Sequence, residues 1–358
     1  MSRNGVWFDE LSVNKAIEKR CGQDRHLLDK LDIITEQIKE RLNQRLWYEP
    51  VAYTPHDFDH HVKTVLQYGS KLLDPIIDKL TLDELLVFQY ACLLHDISMA
   101  YNPGDREVHA FDGCVSLYQD GYDKLLQEID KQYASLADEI KAKKGGSYPL
   151  TNNINDLIID SVSKYLFTIL SYTFEGTHDA YRDAAGLAIL GHSDLKLCNG
   201  EIRINTLDKE FYSRTIIQGP ETTTNIRIRV LAAILRFADE LDCTIKRIDG
   251  IPKIVMKGIP LAGQKYWERL KLFTHIDFNI PRVKIYVNTA YIQRNPDRDK
   301  LFGLMKEVLE KIEKERQTVL TCMQEENFMY TIGPVKLHFN DDNIKQQYYD
   351  YCNATLGE

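Results

Sequence analysis

The sequence has no paired cysteines, no long apolar run and no excess of basic charge. Its seven cysteines, at 21, 92, 114, 198, 243, 322 and 352, are odd in number and show no CxxC spacing. That argues against a disulfide framework or a cysteine-based zinc site, and it predicts a reducing compartment. Cys92 in ACLL and Cys243 in LDCTI read as buried thiols among apolar neighbours. No apolar stretch approaches the roughly 18–20 residues that span a bilayer. The opening MSRNGVWFDE lacks the basic and apolar regions of a signal peptide. A soluble, cytoplasmic protein without membrane contact is expected.

Basic charge is also short. Lys and Arg number 45 against 53 Asp and Glu, for a net charge of −8. A wholesale polyanion-binding surface, and with it long duplex nucleic acid as a partner, is not expected. No GxxxxGK[ST] loop occurs, so ATP-driven work is not indicated. There is no internal repeat. What remains is ordinary globular composition, with 44% hydrophobic and 27% charged residues, which excludes disorder and collagen. The 358 residues exceed a typical single domain.

Periodicity divides the chain into a mainly α body and a smaller C-terminal α+β region. Residues 1–49 form an N-terminal helical segment in which Leu27, Leu28, Leu31, Ile34 and Ile38 recur at helical steps. Residues 50–250 form the body. Within it, TPHDFDHHVKTV predicts a helix capped by Thr54 with Pro55 in its first turn. TLDELLVFQYACLLHDI predicts another, with Thr81 and Glu84 as a capping box. Residues 121–148 read as an insertion ending in a Gly-Gly and Pro loop. Helical patterns return at 153–172, at 178–191 and in IRIRVLAAILRFADELD. In residues 251–358, RVKIYVNTAYI and VKLHF alternate as strands, with Val283, Ile285 and Val287 and then Val335, Leu337 and Phe339 on the apolar phase. The segment 298–320 between them is an amphipathic helix.

The histidines are unevenly placed. His56, His60 and His61 lie in one short stretch, and His56 and His60 are four apart, which predicts a shared helix face. His95 and Asp96 end an otherwise apolar helix. Burying that carboxylate is costly unless it is paired or bound to a cation. Asp239 interrupts LAAILRFADELD in the same way. Imidazole and carboxylate together suit borderline divalent ions.

These stretches, in this order, resemble the HD superfamily of metal-dependent phosphohydrolases, whose pattern is H…HD…D on an all-helical fold. TPHDFDHHVKTV is similar to the TDHxxxHxxxV helix start of one branch, and RVLAAILRFADELD to that branch's final helix. The likeness covers roughly residues 50–247. It implies that His60, His95, Asp96 and Asp239 are metal ligands, with His61 the rival of His60 for the first position. His56, His109 and His192 are implied as further site residues. His109 and His192 are candidates for a second metal, and all three, with Asp239, for acid, base or phosphate-contact roles. His26, His178, His275 and His338 read as structural or exposed.

The cofactor implied is one or two divalent ions, from Mn, Mg, Fe, Ni, Co or Zn. Such an ion activates water and polarises a phosphoryl oxygen. Arg106, three residues before His109, and Arg236, three before Asp239, are the candidate phosphate-binding cations. Arg227 and Arg229 read as solvated charges or ion pairs, and Lys246 and Arg247 flank the last helix.

The expected activity is hydrolysis of a phosphate ester or anhydride of a nucleotide, such as a (d)NTP. The alternatives are a phosphodiesterase for cyclic or short oligonucleotides, a nucleotide-binding regulatory or scaffold module, and a di-iron HD oxygenase. The GYP triplet of cyclic dinucleotide phosphodiesterases is absent, which argues against that subgroup. A homo-oligomer is expected by resemblance.

Overall fold

A computed structural model describes residues 6–22, 26–44, 55–100, 109–116, 180–197, 202–214, 216–251, 259 and 261–356. The fold is mainly α with a small C-terminal sheet. Three helices open it: α1 (Val6–Asp9), α2 (Ser12–Cys21) and α3 (His26–Gln44). A π-helical turn (Phe58–Val62) leads into α4 (Lys63–Leu73). Helices α5 (Leu82–Leu94), α6 (His109–Ser116) and α7 (Ala180–Leu190) follow. A short hairpin pairs β1 (Leu195–Leu197) with β2 (Ile202–Ile204), and α8 (Lys209–Arg214) precedes α9 (Ile228–Leu241). The expected helix at 153–172 and the expected insertion lie outside the described residues.

Helix α5 starts as its sequence dictates. Thr81 Oγ1 accepts from the Glu84 amide at 3.1 Å, and Glu84 Oε2 accepts from the Thr81 amide at 2.8 Å. Beyond the cap, Leu85, Leu86, Val87, Phe88, Ala91, Cys92 and Leu93 are all fully buried. A helix apolar on every side belongs in the core. Each fully buried Leu, Val or Phe contributes about 1.5–3 kcal/mol. Helix α9 lies at the centre and packs on α4, α5 and α7.

The C-terminal region comprises α10 (Leu261–Lys271), β3 (Phe273–Asn279), β4 (Arg282–Val287), α11 (Thr289–Arg294), α12 (Arg298–Glu325), β5 (Lys336–His338) and α13 (Asp342–Leu356). The sheet order is β3-β4-β5, antiparallel then parallel. Val283, Ile285 and Val287 face inward as their alternation predicts. Tyr286 lies between His275 and His338 in one cross-strand row on the other face. Helix α12 packs along α9, and one apolar core runs from Phe8 to Tyr348 without a break between body and tail. No helix among the described residues is long and apolar enough to cross a membrane.

Candidate metal centre

The helix that begins near residue 55 does not start where its sequence pattern points. Thr54 lies outside the described residues, and Pro55 and His56 precede the helix. Asp57 is the cap: its Oδ1 accepts from the His60 amide and from His60 Nδ1, each at 2.9 Å. The amides of His61 and Val62 both reach the Asp57 carbonyl at 3.2 Å, so the first turn is π-helical. Asn43 of α3 holds this turn by accepting from the Phe58 amide at 3.1 Å.

This start corrects the expected first ligand. His60 is spent on Asp57, and 29% of its side chain is exposed. His61 is fully buried and faces His95 and Asp96. His56 and His60 share no regular helix face, because no helix joins them. Four residues on from His61 is the buried Val65, whereas four on from His60 is the partly exposed Thr64; the apolar pattern alone does not choose between the two histidines.

His95 and His192 are delivered by one local device. Each stands just past an apolar helix, α5 or α7. Each Nδ1–H donates to the carbonyl three residues back, Cys92 at 2.8 Å and Ile189 at 2.5 Å. Those carbonyls lie in the last turn of their helices, where the i-to-i+4 ladder runs out; the Ile189 carbonyl also accepts from the His192 amide at 3.1 Å. The Nδ1–H bond fixes the tautomer, so each Nε2 lone pair points away from its helix into the site. Gly191 lets the α7 turn approach α9. A Cβ there would lie 2.7 Å from the Ala232 Cβ and 2.5 Å from the Tyr212 hydroxyl.

His61 is oriented over a much longer range. Its Nδ1–H donates to Asp242 Oδ2 at 2.6 Å. Asp242 is held by Arg247, whose Nη1 lies 3.6 Å from the same oxygen and whose Nε donates to the Pro55 carbonyl at 2.9 Å. Asp242 was not among the residues expected from sequence, although it follows Asp239 by three in ADELD.

Two donor groups result. His61, His95 and Asp96 form one, and Asp96, His109 and His192 the other. His61 Nε2 lies 3.1 Å from His95 Nε2 and 2.8 Å from Asp96 Oδ2. His109 Nε2 lies 2.9 Å from His192 Nε2 and 3.6 Å from Asp96 Oδ1. Asp96 is thus shared, with one oxygen toward each group. Asp239 Oδ1 is 3.3 Å from His61 Nε2, and 28% of its side chain is exposed, so it stands on the open side. His56 stands at the rim, 3.8 Å from Asp96 Oδ2.

The electrostatics fit a cation. Among the described residues no Lys or Arg pairs with Asp96 or Asp239. Burial opposes their ionisation, yet the imidazoles around them hold both well below the usual carboxylate range: His95 and His56 act mainly on Asp96, His61 on Asp239. Burial and Arg247 disfavour a charged His61, but hydrogen bonds to Asp239, Asp242 and Asp96 lift it to about 10. Burial, then His109 and His95, push His192 down to about 3, leaving a neutral ring. Converging imidazole nitrogens with ionised carboxylates are a donor set for a borderline divalent ion.

The expected phosphate cations fare differently. Arg106 lies outside the described residues. Arg236 is corrected: it is buried, and its guanidinium is taken by Glu315 and Asp194. Arg227 pairs with Glu84 and Arg229 with Glu325, as ion pairs.

The HD-CE family matches residues 52–318. Comparison with curated proteins and with solved structures returned no match. The match begins just before His56, takes in every residue of the cluster, and continues into α12. On that extent, the chain belongs to the HD-CE family, an HD-type domain.

Proposed function

We propose that the protein is a metal-dependent phosphohydrolase that cleaves a phosphate ester or anhydride of a nucleotide. The observation that carries this reading is the convergence of His61, His95 and Asp96 on one point, with a second group sharing Asp96. A divalent cation supplies Lewis acidity: it lowers the pKa of water and polarises a phosphoryl oxygen. His61, His95, Asp96 and Asp239 would hold the first cation, and Asp96, His109 and His192 the second.

The chain's own residues have distinct tasks. Asp242, with Arg247 behind it, fixes the His61 tautomer. The Cys92 and Ile189 carbonyls do the same for His95 and His192. Asp239, ionised and on the open side, orients the attacking water. His56, at the rim, donates a proton to the leaving oxygen. Free cysteines among the described residues accord with a reducing, cytoplasmic setting. A small nucleotide suits the net charge of −8 better than a long duplex. Homo-oligomerisation belongs to the same reading.

The test is turnover of mono-, tri- and cyclic nucleotides and short oligonucleotides under Mn, Mg, Fe, Ni, Co or Zn, with Asp96→Ala as control. Metal-dependent release of phosphate or nucleotide, lost in Asp96→Ala, is the expected result. No turnover in the parent with any metal overturns the reading and favours a binding module. The shared Asp96 keeps a two-iron oxygenase as the second reading; two irons per chain with oxygen-dependent turnover would establish it instead.

A further inference from the structure

Helix α12 meets α9 and the turn after α7 through charges set in an apolar contact. Its Val308, Ile312 and Val319 are buried in the common core. Within the same stretch, Glu315 is only 4% exposed and receives two bonds from Arg236: Nε to Oε2 at 2.5 Å and Nη2 to Oε1 at 2.9 Å. The third corner of the guanidinium, Nη1, lies 2.7 Å from Asp194 Oδ1. Lys314 closes the cluster, with Nζ 3.3 Å from Asp194 Oδ2. One helical turn of α12 thus grips α9 through Arg236 and the turn after α7 through Asp194.

Asp194 follows His192 by two residues, and Arg236 precedes Asp239 by three. Two cations face two anions, so the cluster is close to neutral and casts little field on the site. Desolvating such a group opposes its mutual attraction, and apolar packing of similar volume often stabilises a fold at least as well. What the charged contact adds is direction. A planar guanidinium with three fixed contacts to two carboxylates sets the spacing of α9, α12 and the His192 turn together.

We propose that Glu315 of α12, acting through Arg236 and Asp194, is a positioning residue for His192, so that the C-terminal region sets the affinity of the second cation position. This rests on the two-cation reading of the cluster given above. Glu315 touches neither donor group; it fixes the backbone from which the His192 ring projects.

The experiment titrates Mn2+ into the full-length protein, wild type and Glu315→Gln, by calorimetry and electron paramagnetic resonance. The melting temperature of each metal-free protein is read alongside. Wild type is expected to bind two equivalents. Glu315→Gln is expected to weaken the second by about 3–10-fold, less than the loss of a partner bonded directly to a ligand, with the first equivalent unchanged. Glu315→Asp is expected to recover part of the loss. If Glu315→Gln does not fold, Asp194→Asn carries the test with the same expected pattern, since that carboxylate links Arg236 to the turn bearing His192. Both equivalents unchanged, or both weakened alike with a lower metal-free melting temperature, overturns the proposal and leaves Glu315 a structural residue. Wild type that binds no Mn2+ overturns the metal reading itself, a result the variants cannot mimic.

Discussion

His61 and His95 present their Nε2 atoms to each other at 3.1 Å, each ring tied from behind through its Nδ1. Two imidazole lone pairs at that distance repel unless a proton or a cation lies between them. The adjacent His60 points elsewhere, to Asp57. His61→Ala is therefore expected to lower Mn2+ affinity and turnover by at least about 100-fold, more than an outer-shell loss. His60→Ala is expected to stay within a few-fold of wild type. Metal titration and phosphate release on the pair decide it; equal losses would place the ligand role elsewhere.

Asp242 acts on the centre only through His61. Removing its charge in Asp242→Asn leaves the shape and weakens the hold on the ring tautomer. Metal affinity is expected to fall about 10–100-fold. Measured by calorimetry, an unchanged affinity would reduce Asp242 to a packing role.

The metal-free protein should have a characteristic pH dependence. The folded chain holds His61 at about 10 against an ordinary value of 6.5. A raised value means that the stability it contributes is complete below about 6.5 and is lost as pH rises through about 10. With chelator present, the melting temperature is expected to fall across that window more steeply than in His61→Asn. A bound cation takes the place of the proton, so metal affinity should rise over the same window. Parallel melting curves for the two proteins would count against this role for His61.

Gly191 is required by close approach. In Gly191→Ala the added carbon would sit 2.5 Å from the Tyr212 hydroxyl and 2.7 Å from the Ala232 Cβ. Overpacking of that kind costs about 1–3 kcal/mol. Urea denaturation of the metal-free protein is the measurement, and a loss below about 0.5 kcal/mol would mean that the α7 turn yields easily.

Much of the site was legible because its delivery is local. The capping box at Thr81, the apolar run behind it and the His-Asp pair at its end predict where His95 and Asp96 stand. The run ending in LGHSD places His192 by the same logic. The central α9 helix and the strands at 282–287 and 336–338 follow from simple periodicity. Strand β3 was not read, because an irregularity between Phe273 and His275 breaks its alternation. Helix α13 was not legible in the same way, since its many tyrosines and polar residues show no clean apolar stripe.

Arg236 shows where local reading failed. A cation three residues from Asp239 looks placed for phosphate, but its partners, Asp194 and Glu315, come from 42 residues before it and 79 after it. Position along a helix does not reveal which distant carboxylate reaches it first.

The sequence alone determined the helical class, the Thr81 capping box, and the ends of the apolar helices where histidine and aspartate emerge. These depend on residues within a turn or two of each other. Tertiary structure decided which of two adjacent histidines turns inward, because that depends on the π-helical start at Asp57. It also decided that Asp242, 181 residues on from His61, supplies the anchor. No local periodicity encodes a hydrogen bond between side chains so far apart; only the packing of α9 against α4 brings them within reach.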